Sequence, residues 1–268
     1  MAAQHFRLLS AALAALAAMP AVSIGAHAAE PIKVGVLQFA SNIPEYVAAD
    51  RGYFAAEGLN VTFVNFTAGQ PVAVATLSGD IDFGAAGVTS ALYQMAAQGG
   101  LRLIGGSSAT YPGFHTSAVL VSDRAYAAGF KSLKDLSGHS VALTQIGSTY
   151  HYGYALIAEK YHADLKTIRP LPLQSMGNVA SSLVGGQADA GILSTSVASP
   201  LVDAGKVKLL AWTDEEASFQ VSAIWTSTKT ANERPETVKR FLAALRRAGK
   251  DYAAAFIGKD GKQHEGPG

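Results

Sequence analysis

Twelve residues of this chain could hold a small molecule without any charged side chain. They are Gln38, Phe39, Asn42, Gln70, Thr89, His115, Ser148, Thr149, Tyr150, Gln174, Asn178 and Thr195. Most stand where an apolar, strand-like run gives way to a helix-like one. A helix start presents unpaired N–H groups and a partial positive charge, so it can hold an anion without Lys or Arg. Gln38–Pro44, Thr67–Pro71, Gln145–Tyr150 and Gln174–Asn178 contain no Asp, Glu, Lys or Arg. Phe39, Phe114 and Tyr150 are placed to flank an organic portion of such a ligand. For Thr89, Ser148 and Thr149 taken singly, plain helix capping competes with this reading. His115 reads equally as a hydrogen-bonding group for a ligand or as a surface or core histidine.

Other chemistry finds little support. Asp82 and Asp189 open their strands, away from the loops above, and turn hydrogen bonding is the expected role. Neither His115 nor His151 has a second His or a carboxylate at ligand spacing, so no metal is expected. The chain has no cysteine, which removes disulfides, thiolate metal sites and a cysteine nucleophile. There is no glycine-rich phosphate loop and no G-x-S-x-G. The formal net charge is +1, with no basic cluster, so nucleic acid is not an expected partner.

The elements that position these residues recur. Leu77-Ser-Gly-Asp-Ile-Asp-Phe-Gly84 returns as Val184-Gly-Gly-Gln-Ala-Asp-Ala-Gly191, with Gly79, Asp82 and Gly84 each 107 residues before its counterpart. The offset also aligns Val34–Gln38 with Val141–Gln145 and Ser41 with Ser148. So long a period is not a solenoid repeat and implies two α/β lobes of one plan. Strands are expected at 32–37, 59–66, 81–85 and 101–104, then at 140–144, 167–173, 188–193 and 207–211. Helices between them imply largely parallel sheets. The first helix should run from Pro44 to Glu57, where Gly58 ends it. Pro170 and Pro172 make 167–173 irregular or an edge. Ser117–Ser122 and Ser222–Ser227 resemble each other and read as two hinge strands crossing between the lobes. Pro235–Phe256 reads as one helix, with Val238, Phe241, Leu242 and Leu245 at helical spacing. The expected division is 29–115 for lobe one, with 225–268 returning to it, and 116–224 for lobe two, including the strand 117–122.

The 268 residues are 49% hydrophobic and 15% charged, enough for a sizeable core. Residues 1–28 read as a cleaved secretory leader, with Arg7, an apolar run from Leu8 to Ala18 and the Ala26-His27-Ala28 pattern. A buried helix is the competing reading. Residues 258–268 read as a loose tail.

Glu45-Tyr-Val-Ala-Ala-Asp-Arg-Gly-Tyr-Phe-Ala-Ala-Glu-Gly-Leu-Asn60, the Leu77–Gly84 segment and Ser132-Leu-Lys-Asp-Leu-Ser-Gly138 resemble solute-binding proteins of the nitrate/sulfonate/taurine (SsuA/NMT1-like) type. The resemblance covers nearly the whole chain after the leader. It implies a type II periplasmic binding protein fold, two pseudo-symmetric lobes joined by two hinge strands. It also implies a periplasmic receptor, not an enzyme, that delivers its ligand to the membrane permease of an ABC importer; the uncharged loops make that ligand a small anion, with a pyrimidine or aromatic ligand as the alternative. Members of that family bind nitrate, sulfonates, taurine, thiamin-related pyrimidines or aromatic carboxylates. No cofactor is expected, and a monomer is. Members also continue with further helices, whereas this chain stops soon after Phe256, so a fragment or short form is expected. An enzyme on the same duplicated fold and the sensing half of a regulator are the alternatives. Zero cysteines, the leader and the lack of a helix-turn-helix stand against them.

Overall fold

The structure is a computed structural model and describes residues 28–257. The leader expected over 1–28, Ala28 apart, and the tail expected over 258–268 lie outside the described residues. The chain forms β1 (Glu30–Leu37), α1 (Ile43–Asp50), α2 (Tyr53–Ala56), β2 (Leu59–Phe66), α3 (Gly69–Ser78), β3 (Phe83–Gly87), α4 (Ser90–Ala97) and β4 (Leu101–Ala109). It continues with β5 (Ser117–Ser122), α5 (Asp123–Ala127), β6 (Ser140–Leu143), α6 (Thr149–Lys160), β7 (Arg169–Pro172), α7 (Met176–Val184), β8 (Ala190–Ser194), α8 (Thr195–Asp203) and β9 (Val207–Trp212). Last come α9 (Thr213–Glu216), β10 (Gln220–Ser227), α10 (Thr228–Glu233) and α11 (Pro235–Phe256).

Two five-stranded sheets result, ordered β2-β1-β3-β10-β4 and β7-β6-β8-β5-β9. The expected repeat is present strand for strand, since β3 and β8 lie 107 residues apart along their whole length. β5 and β10 are the antiparallel members of their sheets. Each follows the last parallel strand of one lobe and completes the sheet of the other. These two strands therefore lie wholly inside the sheets, and the passage between lobes is made by residues 110–116 and 213–219 just ahead of them. The 224/225 division expected from sequence falls within β10, all of which belongs to the first sheet.

The passages are fastened to each other. Thr110 N–H donates to the Phe219 carbonyl, and the Phe219 N–H donates to the Thr110 hydroxyl oxygen at 2.7 Å. Thr110 Oγ1 donates in turn to the Ala217 carbonyl. Thr213 Oγ1 donates to the Ser117 carbonyl at 3.0 Å.

Apolar side chains cover both faces of each sheet. On the first, Phe241 of α11 stacks on Phe83 at 4.1 Å and on Phe54 at 5.4 Å, beside Val34, Val36 and Leu245. Phe241 and Leu245 are thus the seam that the helical spacing predicted, each burial stabilising by about 1.5–3 kcal/mol. The opposite face holds Trp225, Val72, Ile81 and Leu92. In the second lobe, Val141, Ile157 and Ile192 lie on one face and Leu120, Val179 and Leu183 on the other.

Several expectations shift. The single helix from Pro44 to Glu57 is broken in two, because Gly52 takes φ +69° and turns the chain. The strand expected at 81–85 starts at Phe83 because 80–82 are still in the turn. β7 does sit at a sheet edge, as its two prolines demand. Asp82 and Asp189 do more than close their turns. Asp82 Oδ2 accepts the Lys33 N–H at 2.8 Å and Asp189 Oδ2 accepts the Ser140 N–H at 2.8 Å, so each ties the start of its strand to the neighbouring one. Arg234 and Arg124 respectively pair with their other oxygens.

Candidate interlobe ligand site

Between the lobes lies a cavity of about 840 Å³, lined from both sheets and by the last turns of α11. Six helix starts reach it: Ile43 and Pro44 of α1, Gly69 of α3, Thr89 ahead of α4, Ser148 and Thr149 at α6, Met176 of α7, and Thr195 of α8. They converge because the strand-to-helix turns leave the carboxyl ends of the parallel strands on one side of each sheet. Among the described residues that line the cavity there is no Asp, Glu, Lys or Arg.

The helix starts are not equivalent. Thr89 Oγ1 accepts the Leu92 N–H at 3.1 Å and Ser148 Oγ accepts the His151 N–H at 3.3 Å, so both side chains are caps. α3 has no side-chain cap at Ala68. Gly69 there approaches the opposite backbone so closely that a Cβ would stand 2.7 Å from the Gly87 carbonyl oxygen. Its first-turn N–H groups are donors that a ligand can use.

Of the twelve residues read from the sequence, Phe39, Thr89, His115, Ser148, Thr149, Tyr150 and Thr195 line the cavity. The other five do not. Asn42 is buried and occupied: Oδ1 accepts the Leu37 N–H at 3.1 Å and Nδ2 donates to the Ala85 carbonyl at 2.9 Å. Asn178 Nδ2 donates to the Leu173 carbonyl at 2.8 Å, bracing its own turn. Gln38, Gln70 and Gln174 are exposed. Gln174 turns at φ +70°, its N–H held by the Thr144 carbonyl.

The Thr149 and Thr195 hydroxyls also have internal partners. Thr149 Oγ1 reaches across to lobe one, donating to the Val88 carbonyl at 2.7 Å with the Val221 carbonyl at 3.2 Å. Beside it the Ser90 N–H donates to the Gly147 carbonyl at 2.9 Å. A Cβ at Gly147 would collide with the Ser90 hydroxyl. Thr195 Oγ1 donates to the His115 carbonyl. Burial pushes the Tyr150 phenol up to about 12, with the Ser117 hydroxyl pulling the other way, so the phenol keeps its proton at neutral pH and can donate it. Burial lowers His151, whose Nδ1 accepts the Gly147 N–H at 3.0 Å.

Sequence reasoning missed the surroundings of His115. Its ring lies flat on Trp212, 4.5 Å between centroids and 9° between planes. Its Nδ1 stands 3.1 and 3.2 Å from the two oxygens of Asp214, whose side chain is fully buried. Trp212 and Asp214 flank the end of a strand already read at 207–211, so the loop after it was the available signal. Tyr252 and Phe256 were also missed as lining residues. They lie on α11, away from the strand-to-helix loops. Among the described residues no group of three His, Cys, Asp or Glu could hold a metal, and no helix is long and apolar enough to cross a membrane.

The NMT1/THI5-like family model matches residues 40–255. Among solved structures, the alkanesulfonate-binding protein SsuA from Xanthomonas axonopodis pv. citri bound to MOPS is 24% identical, with a TM-score of 0.69 over 84% of this chain and 76% of that one. The periplasmic aliphatic sulphonate binding protein SsuA from Escherichia coli is 21% identical, with a TM-score of 0.67 over 84% of this chain and 74% of that one. The periplasmic nitrate-binding protein NrtA from Synechocystis PCC 6803 is 12% identical, with a TM-score of 0.66 over 82% of this chain and 61% of that one. No curated protein matches the chain. The two mixed sheets are those of the periplasmic binding protein fold, and the chain belongs to the NMT1/THI5-like family.

Proposed function

We propose that this chain is the periplasmic solute-binding receptor of an ABC importer and that it captures a small organic anion between its lobes. The observation that carries this is the convergence of six helix starts on a cavity whose described lining has no charged side chain. Backbone N–H groups and helix dipoles then neutralise the acid group, and the ligand can be released without breaking an ion pair. The volume favours an organic ligand over a bare inorganic ion. About 840 Å³ suits a molecule of many heavy atoms, and Phe39, Tyr111, Phe114, Tyr150, Tyr252 and Phe256 supply flat apolar walls. Membership of the family and the likeness to sulfonate- and nitrate-binding proteins support the receptor role and delivery to a membrane permease.

The test is calorimetry and thermal shift against alkyl and aryl sulfonates, aromatic carboxylates, nitrate and neutral pyrimidines. A ligand bound only by the folded state raises the melting temperature. Organic acids should do so and their neutral amides should not. Binding of the amides alone would overturn the anion reading. Small-angle scattering should show a more compact form with the bound acid, since closure follows from contacts to both lobes.

A further inference from the structure

His115 belongs to the first passage between lobes and Asp214 to the second. The carboxylate of Asp214 has no exposed surface, and it also accepts the Gly113 N–H at 3.1 Å. Such a carboxylate facing Nδ1 fixes the proton there, so in the neutral ring Nε2 carries the lone pair. Stacking on Trp212 fixes the plane of the ring, and the Thr195 hydroxyl holds its backbone carbonyl. The side chain remains 38% exposed and lines the cavity. It is the one imidazole among the described lining residues.

The charges around it have one sign. Glu215 Oε1 stands 3.9 Å from Nε2. Lys160, the cation next to α9, is paired with Glu216 at 2.7 Å. Among the described residues neither the Asp214 nor the Glu215 carboxylate pairs with a Lys or Arg, and Lys160 reaches Glu215 only at its backbone carbonyl, at 3.5 Å. The start of α8, which meets His115 through the Thr195 hydroxyl, already gives the Thr195 N–H to the Thr116 carbonyl. This corner therefore suits a hydrogen carried by the ligand and repels a second acid group. The remaining helix starts have the opposite preference.

We propose that His115, held by Asp214 and Trp212 as positioning residues, is a specificity-determining group of the cleft, and that the ligand is an organic acid that also bears an N–H or O–H donor for Nε2. The proposal rests on the anion-receptor reading above and adds a second recognition point to it.

Paired probes separate the two. 4-Aminobenzoate and 4-hydroxybenzoate are compared with 4-methylbenzoate, and 4-aminobenzenesulfonate with 4-methylbenzenesulfonate, by calorimetry on the full chain. The donor-bearing member should bind about tenfold tighter to the wild type, because the methyl leaves Nε2 unpaired. His115→Phe keeps a ring on Trp212 and removes the nitrogen. It should bring the members of each pair within about twofold, since the methyl compounds no longer leave a nitrogen unpaired. Asp214→Asn should weaken only the donor-bearing probes and move the ring ¹⁵N shifts of His115 away from the Nδ1–H pattern; an unchanged pattern refutes the positioning role. Equal binding of both members of each pair to the wild type overturns the proposal and leaves the anion reading standing. Binding of none of these acids, nor of the alkyl sulfonates, overturns both.

Discussion

Glu45 in lobe one and Asp189 in lobe two are both carboxylic acids shut away from water, yet they are pushed in opposite directions. Glu45 is fully buried, its Oε1 has no hydrogen-bond partner, and its other oxygen has only Asn42 Nδ2 at 3.4 Å. Burial raises it from 4.5 to about 7, against weaker help from its own backbone N–H and Asn42. Burial also acts to raise Asp189, but the Ser140 N–H and hydroxyl, then His139, outweigh it and hold the acid below its ordinary value. Arg124 adds a contact at 2.7 Å. The contrast shows that burial sets only the cost of the charge. The supply of donors decides whether the charge survives.

The signs follow. Glu45 holds its proton more tightly folded than unfolded, so its contribution is full below about 4.5 and is lost as pH rises through about 7. Asp189 gives stability above its unfolded value and loses it as pH falls through the lower folded one. The largest expected effect is for Glu45→Gln, which imitates the protonated acid. It should be roughly 3 kcal/mol more stable than the wild type at pH 8 and equal to it near pH 4. Urea denaturation at both pH values checks this, and a constant difference would mean that Glu45 is already paired.

A second contrast concerns matched glycines. A Cβ on Gly84 would land inside the Trp225 indole, while one on Gly191 would meet the Ala142 carbonyl oxygen, Leu183 and Val179 at 3.2–3.4 Å. Gly84→Ala should therefore destabilise by about 2 kcal/mol more than Gly191→Ala. Trp225→Leu should recover part of that loss in the double variant, and additive losses would deny the clash. Next comes Asp189→Asn, which weakens the Ser140 and Arg124 contacts. It should cost about 1.5 kcal/mol at pH 7, shrinking in acid as the wild-type carboxylate protonates. A loss independent of pH would assign the effect to packing. The smallest effect is expected where the lobes touch: Thr149→Val removes the hydroxyl bonded to the Val88 carbonyl and should cost about 1 kcal/mol in thermal melts. No loss would show that the two lobes do not depend on this contact.

The repeat made the fold readable. Strands at a constant offset, Pro44 and Pro71 in first helical turns and Gly79 after a helix each act through local backbone physics. Positions fixed by side chains distant in sequence were not readable. Asn42 looks from sequence like Thr149, its counterpart 107 residues on at a strand-to-helix turn, but the carbonyl of Ala85 waits 43 residues away and takes its amide. Thr149 reads as a ligand hydroxyl until the backbone of Val88 and Val221 is brought against it. Thr149→Asp would place a carboxylate against those carbonyls, so it tests the interlobe contact before it tests any ligand. Asp214 shows no pattern in Thr213-Asp-Glu-Glu216. Its role comes from the two passages lying side by side.

The exchange of β5 and β10 also has a consequence in time. Strands β5 to β9 are contiguous in the chain, so the second sheet is complete once Trp212 has been made. The first sheet is not, because β4 pairs only with β10, which arrives more than a hundred residues later. A chain emerging amino end first thus carries β4 without a partner until nearly all of it is available. Such non-local pairing is slow, since loop closure must precede any gain. We expect lobe two to gain amide protection first in pulsed hydrogen exchange during refolding, and the reverse order would contradict this. The lobe that begins the polypeptide would then be the last to become a structure.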